Sequence, residues 1–316
     1  MFNKICQSCY NSLVRNYSNS LINWCRWRVI KAIAKINDPI IDVYEGKTKL
    51  RTHASNRGPY HYVKNPLYDK ALPRICKQLQ TIDNQLHIID IGANIGDTAS
   101  LICEQVNGSS ILCVEGNKCF LHLLEYNVAN FGTKNSIFIA SKYCTDSSVN
   151  SKFVTSTEKG TAQLTLSENG ESQEADTLDN IINKFPEFKK CNLLKIDTDG
   201  FEIMVLKGAN ELLSIQHPII YFEFSPSLYM RNGQTPMELL HLLIQNNYHK
   251  ALFYNNYGES LGLFDLSNEE KMAEFIGRVS QKNADCTHYD ILCINDLDTE
   301  KYMPILQSEE QIAKKE

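Results

Sequence analysis

A chain of 316 residues, 43% of them apolar and 22% charged, has enough apolar side chains to bury one large core. Its formal net charge of −5 excludes a general electrostatic attraction to nucleic acid, so we expect no nucleic-acid partner. No apolar run reaches the roughly 18 residues of a membrane span, and no signal peptide is evident. Several of the eleven cysteines lie in apolar runs, which is typical of reduced, buried thiols. We therefore expect a cytoplasmic protein.

The first predicted element is a basic amphipathic helix within residues 1–37. This segment holds six Lys and Arg residues and no acid. We expect Ile22, Val29, Ile33 and Ile36 to share one face of the helix. Such a face either packs on the rest of the protein or rests on an anionic membrane surface. We favour the packed helix, and a peripheral contact with the inner face of the membrane is the alternative.

A polar and aromatic segment, residues 38–85, leads into the first strand of the predicted core. Its side chains either cover a ligand or pack against the edge of the domain. Two of its histidines, His53 and His61, are placed to reach a neighbouring cleft. His53 is therefore a reserve candidate for a catalytic base.

From residue 86 onward, short apolar runs alternate with helical patterns. Strands are predicted at 86–92, 110–116 and 135–141, with helices at 97–106 and 118–132 between them. This β-α-β-α-β order is typical of a parallel sheet that is covered by helices.

The second half of the chain begins with residues 145–176, which are rich in Ser, Thr, Glu and Gly and predict a polar hairpin or a mobile loop. Regular structure is predicted after it, as helices at 177–185, 200–215 and 235–248 and as strands at 191–197, 218–224, 250–257 and 288–295. No convincing helix separates the last two strands, which predicts an antiparallel hairpin at the end of the sheet.

The predicted fold is therefore α/β and doubly wound, with a mainly parallel sheet whose last strand is antiparallel. Three parts follow along the chain: an N-terminal helical extension with its lead-in at 1–60, a catalytic domain at 61–297 and a polar C-terminal tail at 298–316.

The loop after the first core strand lies in the segment IIDIGANIGDTA, residues 88–99. In a doubly wound sheet this loop is at the ligand-binding edge, and Gly92 and Gly96 permit a tight turn there. Asp90 and Asp97 flank these glycines and would repel the pyrophosphate of a dinucleotide. S-adenosylmethionine is favoured instead, because its ammonium can pair with Asp90 and its carboxylate can accept backbone N–H groups.

A second acid supports an adenosine-containing ligand. Glu115 ends the second predicted strand, 23 residues after Gly92. An acid at this place can accept hydrogen bonds from both hydroxyls of a ribose, although it does so in nicotinamide sites as well. An ordinary strand-to-helix turn remains the alternative explanation for the glycines.

Four segments of the chain together resemble the FkbM-type methyltransferases, a branch of the class I S-adenosylmethionine-dependent fold. They are IIDIGANIGDTA, CVEGN, LLKIDTDGFEIMVLKGA and PIIYFEFSP, and the resemblance extends over about residues 60–295. It implies a seven-stranded, Rossmann-like sheet with an antiparallel last strand. It also implies O-methylation, often of sugar hydroxyls in bacterial surface glycans or of hydroxyls in secondary metabolites.

The predicted cofactor-binding residues are Asp90, Gly92, Ala93, Asn94, Gly96, Asp97, Thr98, Glu115, Gly116, Asn117 and Ser141. The resemblance implies this role for Asp90, Gly92, Asn94, Gly96 and Asp97, which match the family's cofactor loop. Glu115 matches the family's ribose acid, and Asn117 lies where the adenosine would be flanked. Many members have a glutamate where this chain has Asp199, which keeps the charge but shortens its reach.

The chemistry of methyl transfer adds candidates for catalysis. Transfer from a sulfonium is an in-line displacement, so positioning of the acceptor supplies much of the rate. A hydroxyl also needs a base to accept its proton or a metal to lower its pKa. Asp197 ends the fourth predicted core strand and Glu223 lies near the end of the fifth, so both should face one cleft. Either can accept the proton, or both can hold Mg²⁺ with Asp199. Alternatively, Asp199 caps the next helix and Glu223 is a satisfied buried acid.

These observations predict an O-methyltransferase that acts on a hydroxyl group, with a sugar of a surface polysaccharide as the expected acceptor. A secondary metabolite is the alternative acceptor. Because DTD (197–199) also resembles the D-x-D motif that holds a nucleotide-sugar metal, a metal-dependent glycosyltransferase is a further alternative, and a non-catalytic cofactor-binding scaffold is another. The acceptor and the oligomeric state do not follow from the sequence.

Overall fold

Helices and strands alternate through the computed structural model, which describes residues 1–15, 20–65, 67–147, 150–158, 161–166, 171–280 and 288–312. The helices are α1 (Phe2–Arg15), α2 (Ser20–Asn37), α3 (Gly58–Lys64), α4 (Ala71–Asp83), α5 (Asp97–Cys103), α6 (Lys118–Val128), α7 (Leu178–Lys184), α8 (Glu202–Lys207), α9 (Asn210–Gln216), α10 (Pro226–Arg231), α11 (Pro236–Gln245), α12 (Glu269–Val279) and α13 (Thr299–Ile312). The strands are β1 (Ile40–Glu45), β2 (Thr48–His53), β3 (His87–Ile91), β4 (Ser110–Val114), β5 (Ser136–Ala140), β6 (Tyr143–Cys144), β7 (Asn150–Glu158), β8 (Thr161–Leu166), β9 (Glu171–Asp176), β10 (Leu193–Ile196), β11 (Ile219–Phe224), β12 (Lys250–Asn255), β13 (Ser260–Asp265) and β14 (Tyr289–Ile294).

In the described part of the chain, eight strands form the central sheet in the order β13-β12-β14-β11-β10-β3-β4-β5. The five strands β11, β10, β3, β4 and β5 are parallel to one another. In contrast, β14 runs antiparallel to both β11 and β12. The strand order reverses between β3 and β10, which is the switch point where ligands bind in doubly wound sheets. The predicted α/β fold with its antiparallel last strand is therefore confirmed, and β13 is an additional strand at the edge.

Helices cover the central parallel strands on both faces, because each crossover between parallel strands places a helix on the sheet. All but the first residue of β3 and every residue of β4 and β10 are buried, as expected for continuous apolar runs inside a sheet that is covered on each side. Ile89, Leu112 and Phe222 pack in the cluster on one face, and Ile88 and Ile111 pack in the cluster on the other. This burial holds the carboxyl ends of the strands at one edge.

The connection between β12 and β14 differs from the predicted hairpin. The two strands do pair antiparallel, but β13 and α12 lie between them along the chain. Asn268 caps α12 by accepting a hydrogen bond from Lys271 N, and Met272, Phe275 and Val279 are its buried residues. The sequence prediction missed this helix, although Met272, Phe275, Ile276 and Val279 have the spacing of one helical face.

The polar insert forms a small mixed sheet in which β7 and β8 are an antiparallel hairpin and β6 pairs parallel with β9, so the predicted hairpin is confirmed. β7 pairs with β8 and with β9, and β9 continues the layer to β6, which follows β5 directly. The insert therefore begins and ends beside the carboxyl edge of the central sheet.

The N-terminal helices pack on the β1–β2 hairpin. Cys6, Tyr10, Ile30 and Ile33 are buried against strand residues such as Val43. The predicted face of α2 is thus only partly correct, because Val29 and Ile36 are 41% and 74% exposed and the side chain of Ile22 lies outside the described residues. Among the helices described, none has the length and apolar character needed to cross a membrane.

The hairpin is in turn hydrogen-bonded to the helices beside the central sheet. Asn127 of α6, which is fully buried, accepts from Arg51 N at 2.7 Å and donates to the carbonyls of Arg51 and Ile95. Glu104 accepts from the backbone N–H groups of Lys47 and Thr48. These bonds attach β1 and β2 to the elements around the predicted cofactor loop.

Two predicted boundaries differ from the structure. The division between residues 60 and 61 falls inside α3, whose surroundings belong to the ligand-binding edge. The predicted polar tail at 298–316 is a helix over most of its length, because α13 buries Tyr302, Ile305 and Leu306. Residues 313–316 lie outside the described part.

Candidate functional site

A cavity of about 500 Å³ opens at the carboxyl ends of the parallel strands. Its walls come from the loops after β3, β4, β10 and β11, from the segment that follows β5 and from the lead-in before α4. This volume is in the range of sites that enclose a nucleoside-sized ligand. The cavity therefore lies at the predicted ligand-binding edge.

The loop after β3 is held tightly against the next strands. Gly92 has φ +77°, and a Cβ atom there would lie 1.8 Å from the carbonyl oxygen of Asp197, so only glycine fits. The N–H groups of Gly92 and Ala93 both donate to Val114 O, at 3.0 and 3.2 Å. The loop is thereby positioned by β4 and by the end of β10 before any ligand binds.

Glu115 joins the cofactor loop to the start of α6. Its Oε2 accepts from Asn94 N at 2.9 Å and its Oε1 accepts from Asn117 N at 2.7 Å. Burial raises the pKa of Glu115 to about 7, although these two hydrogen bonds oppose the shift. Each carboxylate oxygen has a second lone pair, so Glu115 can still accept hydrogen bonds from a ligand.

Two buried polar atoms beside Glu115 have no partner. Asn94 Oδ1 and Asn117 Nδ2 make no hydrogen bond within the described chain, although both residues line the cavity. Next to them, a Cβ atom at Gly116 would lie 2.4 Å from the ring of Tyr143, so the absence of a side chain lets this ring reach the cavity wall. An acceptor, a donor and an aromatic ring are thus available to one ligand.

Asp90 lies behind the loop and does not line the cavity. Its side chain is fully buried and pairs with Lys195 Nζ at 2.8 Å. The same Nζ donates to Gly92 O at 3.2 Å and lies 3.7 Å from Asp197 Oδ2. Burial lowers the pKa of Lys195, but Asp90 and Asp197 raise it further, above its ordinary value, so it stays charged. The predicted pairing of Asp90 with a ligand ammonium is therefore replaced by an internal ion pair.

Asp97, by contrast, faces the cavity from the first turn of α5. Burial raises the pKa of Asp97 to about 6, while Lys195 and its hydrogen bond from Thr98 N oppose the shift. Both Asp97 and Thr98 line the cavity, as predicted for cofactor-loop residues. This carboxylate, and not Asp90, is available to a cationic group of the ligand.

The segment IDTDG brings two further acids to the cavity wall. Asp197 is 47% exposed there, and Asp199 has a left-handed backbone with φ +53°. Asp199 does not cap α8, whose N-cap residue is Phe201. Glu202 instead holds the preceding loop, because its Oε1 accepts from Thr198 N and Thr198 Oγ1, both at 2.8 Å. Burial and the charge of Asp197 raise the pKa of Asp199 to about 7.

Glu223 also lines the cavity, so adjacent strands do bring Asp197 and Glu223 together. Asp290 lies directly opposite Glu223 on β14. Burial, followed by the charges of Asp197 and Asp199, raises the pKa of Glu223 well above its usual value, and burial raises that of Asp290 to about 7. Glu223 therefore holds its proton more tightly than an exposed glutamate does.

The predicted magnesium site is not supported by this geometry. Within the described residues, no three His, Cys, Asp or Glu side chains converge in a group that could hold a metal ion. Asp197, Asp199 and Glu223 share the cavity without forming such a group.

Other predicted residues lie away from the cavity wall. Ala93 and Gly96 are buried in the loop and Ser141 is exposed outside it. His53 does not reach the cleft, because its Nδ1 lies 3.2 Å from Asp38 O in the lead-in. His53 is therefore not placed to act as a base.

Two histidines do line the cavity, namely His61 from α3 and His288 from the start of β14. Burial lowers the pKa of both below the ordinary histidine value, so both are neutral at physiological pH. His288 was missed by the sequence prediction, yet an antiparallel last strand must begin at the edge where the parallel strands end. Lys195 was missed too, and its signal was a lone charge inside an apolar strand.

Comparison with known proteins identifies the family of the chain. The chain matches the family model described as a methyltransferase FkbM domain over residues 90–252, just over half of its length. It is similar to methyltransferase FkbM from Methylobacillus flagellatus KT, with 18% sequence identity and a TM-score of 0.36, over 54% of this chain and 40% of that chain. The match therefore spans less than half of that protein.

Two other solved structures are similar at lower identity. Precorrin-6y C5,15-methyltransferase from Geobacter metallireducens GS-15 shares 9% identity with a TM-score of 0.38, over 71% of this chain and 87% of that chain. An rRNA methylase from Streptococcus thermophilus shares 7% identity with a TM-score of 0.39, over 71% of this chain and 93% of that chain. None of the curated proteins compared with the chain matches it.

Proposed function

The chain belongs to the FkbM methyltransferase family, and on that premise we propose that it transfers a methyl group from S-adenosylmethionine to a hydroxyl oxygen of a sugar in a surface glycan. The observation that carries the proposal is the arrangement around Glu115. Its carboxylate and the unpaired atoms of Asn94 and Asn117 present acceptors and a donor for a nucleoside at one point of the cavity.

The cavity residues fit this cofactor in two groups. Glu115, Asn117 and Tyr143 suit a ribose and its base, because they offer a carboxylate, an amide donor and an aromatic ring. Asp97 and the backbone beside Asn94 suit the methionyl end, which carries an ammonium, a carboxylate and a sulfonium. When bound, the sulfonium supplies an electrophilic methyl group.

The acids of the cavity favour a neutral, hydroxyl-rich acceptor over an anionic one. Asp197, Asp199 and Glu223 face the same space, and carboxylates readily accept hydrogen bonds from sugar hydroxyls. A phosphate or carboxylate on the acceptor would be repelled by those of these acids that are ionised, although Arg57 and Lys142 also line the cavity. A sugar hydroxyl therefore suits this wall, and an uncharged secondary metabolite is the other class that satisfies the same constraint.

Proton removal is assigned to His288 together with Asp197. A neutral imidazole can accept the hydroxyl proton. Burial lowers the pKa of His288 and the charge of Asp197 opposes this effect, so Asp197 stabilises the imidazolium once it forms. Glu223, whose pKa is raised by burial and by the neighbouring acids, can in its protonated form donate a hydrogen bond that orients the acceptor. The chain's own residues thus position the acceptor and take its proton.

Cofactor binding is tested by isothermal titration calorimetry with S-adenosylmethionine. We expect Glu115→Gln to weaken binding at least about tenfold, because a charged acceptor of two ribose hydroxyls is lost. Glu125→Gln is the matched control, since Glu125 is exposed on α6 and the substitution removes the same charge. Absence of binding by the folded wild-type chain would contradict the proposal.

Transfer is tested by mass spectrometry of a panel of neutral sugars, oligosaccharides and hydroxylated metabolites after incubation with the cofactor. Methylation of a sugar supports the proposed acceptor class, whereas methylation restricted to other metabolites supports the alternative. Cofactor binding without transfer to any member of either class would favour a non-catalytic scaffold. His288→Gln is expected to lower the transfer rate about a hundredfold while the affinity for the cofactor is retained.

A further inference from the structure

We propose that the outward face of α2 binds the surface of an anionic lipid bilayer. This inference does not depend on the proposed function, because it rests on the N-terminal helices alone. It concerns a part of the molecule that neither the family match over residues 90–252 nor the cavity includes.

The outward face of α2 carries two parallel stripes of exposed side chains. Helical spacing places the first stripe on one line, and its members are Trp24, Arg28, Lys31 and Lys35. The second stripe lies beside it and consists of Cys25, Val29, Ala32 and Ile36. A basic stripe is thus adjacent to an apolar one over three turns of helix.

The apolar stripe lies outside the face by which α2 packs on the hairpin. The opposite face already buries Asn23, Ile30 and Ile33, and the two isoleucines pack against the β1–β2 hairpin. Trp24, Val29 and Ile36 nevertheless remain 54%, 41% and 74% exposed. Large apolar side chains that stay exposed on the outward side of one helix indicate a surface that binds a membrane or another protein.

Charge favours an anionic bilayer as that partner. Residues 1–37 contain six basic residues and no acid, whereas the rest of the chain holds the other 26 of the 32 basic residues and all 37 acids, a net charge of −11. An anionic surface therefore attracts the N-terminal helices and repels the remainder, which orients the molecule. A helix that lies in the bilayer interface combines the same features, namely a basic stripe, an apolar stripe and an exposed aromatic residue.

Trp24 is suited to the interface between water and lipid. The Arg28 guanidinium carbon lies 4.3 Å from the centre of its ring, so the aromatic and the basic side chain occupy one site on the surface. The other tryptophan, Trp27, stacks on Tyr60 at 5.2 Å and is partly buried. The emission of Trp24 can therefore report lipid contact in a Trp27→Phe variant.

The full-length chain should be sedimented with vesicles of phosphatidylcholine alone and with vesicles of equal parts phosphatidylcholine and phosphatidylglycerol. We expect binding to the anionic vesicles that is weakened by high salt, with a blue shift of Trp24 emission. Arg28→Gln/Lys31→Gln/Lys35→Gln and, separately, Val29→Ser/Ile36→Ser should each reduce binding at least about tenfold.

The matched control is Lys189→Gln/Lys190→Gln/Lys250→Gln, which removes three exposed charges far from α2 in the sequence and should leave binding unchanged. Thermal unfolding of every variant separates lost binding from lost folding. The proposal is overturned if anionic vesicles do not bind the chain or if neither stripe variant changes the binding. It is also overturned if light scattering shows that Val29 and Ile36 instead join two copies of the chain and no lipid binding is found.

Discussion

Gly92 is the residue on which the geometry of the cofactor loop depends most directly. Its φ of +77° lies in the left-handed region, and the space that a Cβ atom would need is occupied by the backbone of Asp197. A loop that passes so close to the end of β10 brings the glycine segment and the IDTDG segment into one cavity. The close approach of two backbones therefore assembles the site.

Gly92→Ala should lower the free energy of unfolding by at least about 3 kcal/mol, since it adds a clash with backbone to an unfavourable φ. Gly108→Ala is the control, because Gly108 also has a positive φ, of +67°, but nothing lies within 4 Å of its added Cβ atom. That change should lower the stability by only about 1 kcal/mol. Chemical denaturation measures both, and equal effects would show that the clash is relieved by movement of the loop.

Glu45, at the end of β1, is a buried acid that the cofactor site does not use. It is 1% exposed, and neither carboxylate oxygen has a hydrogen-bond partner within the described chain. Burial, together with the nearby charges of Asp97 and Asp69, raises the pKa of Glu45 well above its ordinary value. A raised pKa means that the folded state prefers the protonated carboxyl.

The stability that protonated Glu45 provides should be complete below the pKa of an unfolded glutamate and should decline as the pH rises through the folded value. Glu45→Gln imitates the protonated form and removes this decline. We therefore expect the variant to exceed the wild type in unfolding free energy by at least about 1 kcal/mol near pH 8, and by much less near pH 5. Thermal and denaturant unfolding at the two pH values, with exposed Glu125→Gln as control, provide the test.

At the scale of elements, α13 is attached to the sheet by a buried ionic contact. Glu309 is fully buried and accepts from Arg74 Nη2 at 2.7 Å and from Arg74 Nε at 3.1 Å. Tyr254 and Gln78 donate to the same carboxylate. A helix at the end of the chain thereby holds α4, the element that leads into β3.

Glu309→Ala should destabilise the protein by about 3 kcal/mol, because it leaves the Arg74 guanidinium partly buried without its partner. Gln307→Ala, an exposed position on the same helix, should change the stability by less than about 0.5 kcal/mol. The free energies of unfolding of both variants, measured in denaturant and compared with the wild type, test this expectation. A small effect at Glu309 would mean that α13 separates from α4 without affecting the core.

At the scale of the whole molecule, the charge of the cavity is assembled from distant parts of the sequence. The pKa values of Asp97, Glu115 and Asp199 are raised to about 6, 7 and 7, in each case mainly by burial. These acids follow β3, β4 and β10, and they meet only because the strands end at one edge. The site therefore gains negative charge as the pH rises through neutrality.

The affinity for S-adenosylmethionine should increase about threefold to tenfold between about pH 6 and pH 8, because deprotonated acids attract the sulfonium cation. S-adenosylhomocysteine, whose sulfur is uncharged, should show a smaller increase over the same interval. Calorimetry with the two ligands in one buffer series measures the difference. An equal pH dependence for both ligands would show that the acids do not act on the sulfonium.

Most core elements could be predicted because each depends on residues that are close in the chain. The alternation of apolar runs with amphipathic segments predicted β3, β4, β5, β10, β11, β12 and β14. The predicted helix at 200–215 is divided into α8 and α9, because a Cβ atom at Gly208 would lie 2.1 Å from Thr145 O and the chain turns there. That contact joins residues far apart in sequence, which local periodicity does not register.

The glycine spacing predicted that the loop after the first core strand lies at the ligand-binding edge. Four segments together, with DTDGFEIMVLKGA as the most specific, predicted the family to which the chain belongs. Tertiary structure decided the rest, because the partner of a charged group is set by the neighbouring strand or element. Asp90 pairs with Lys195 of the neighbouring strand, and His53 contacts Asp38 in the lead-in. His288 reaches the cavity because β14 is antiparallel and begins at the carboxyl edge of the parallel strands. Only the folded sheet determines which of these charges meets another residue and which faces the ligand.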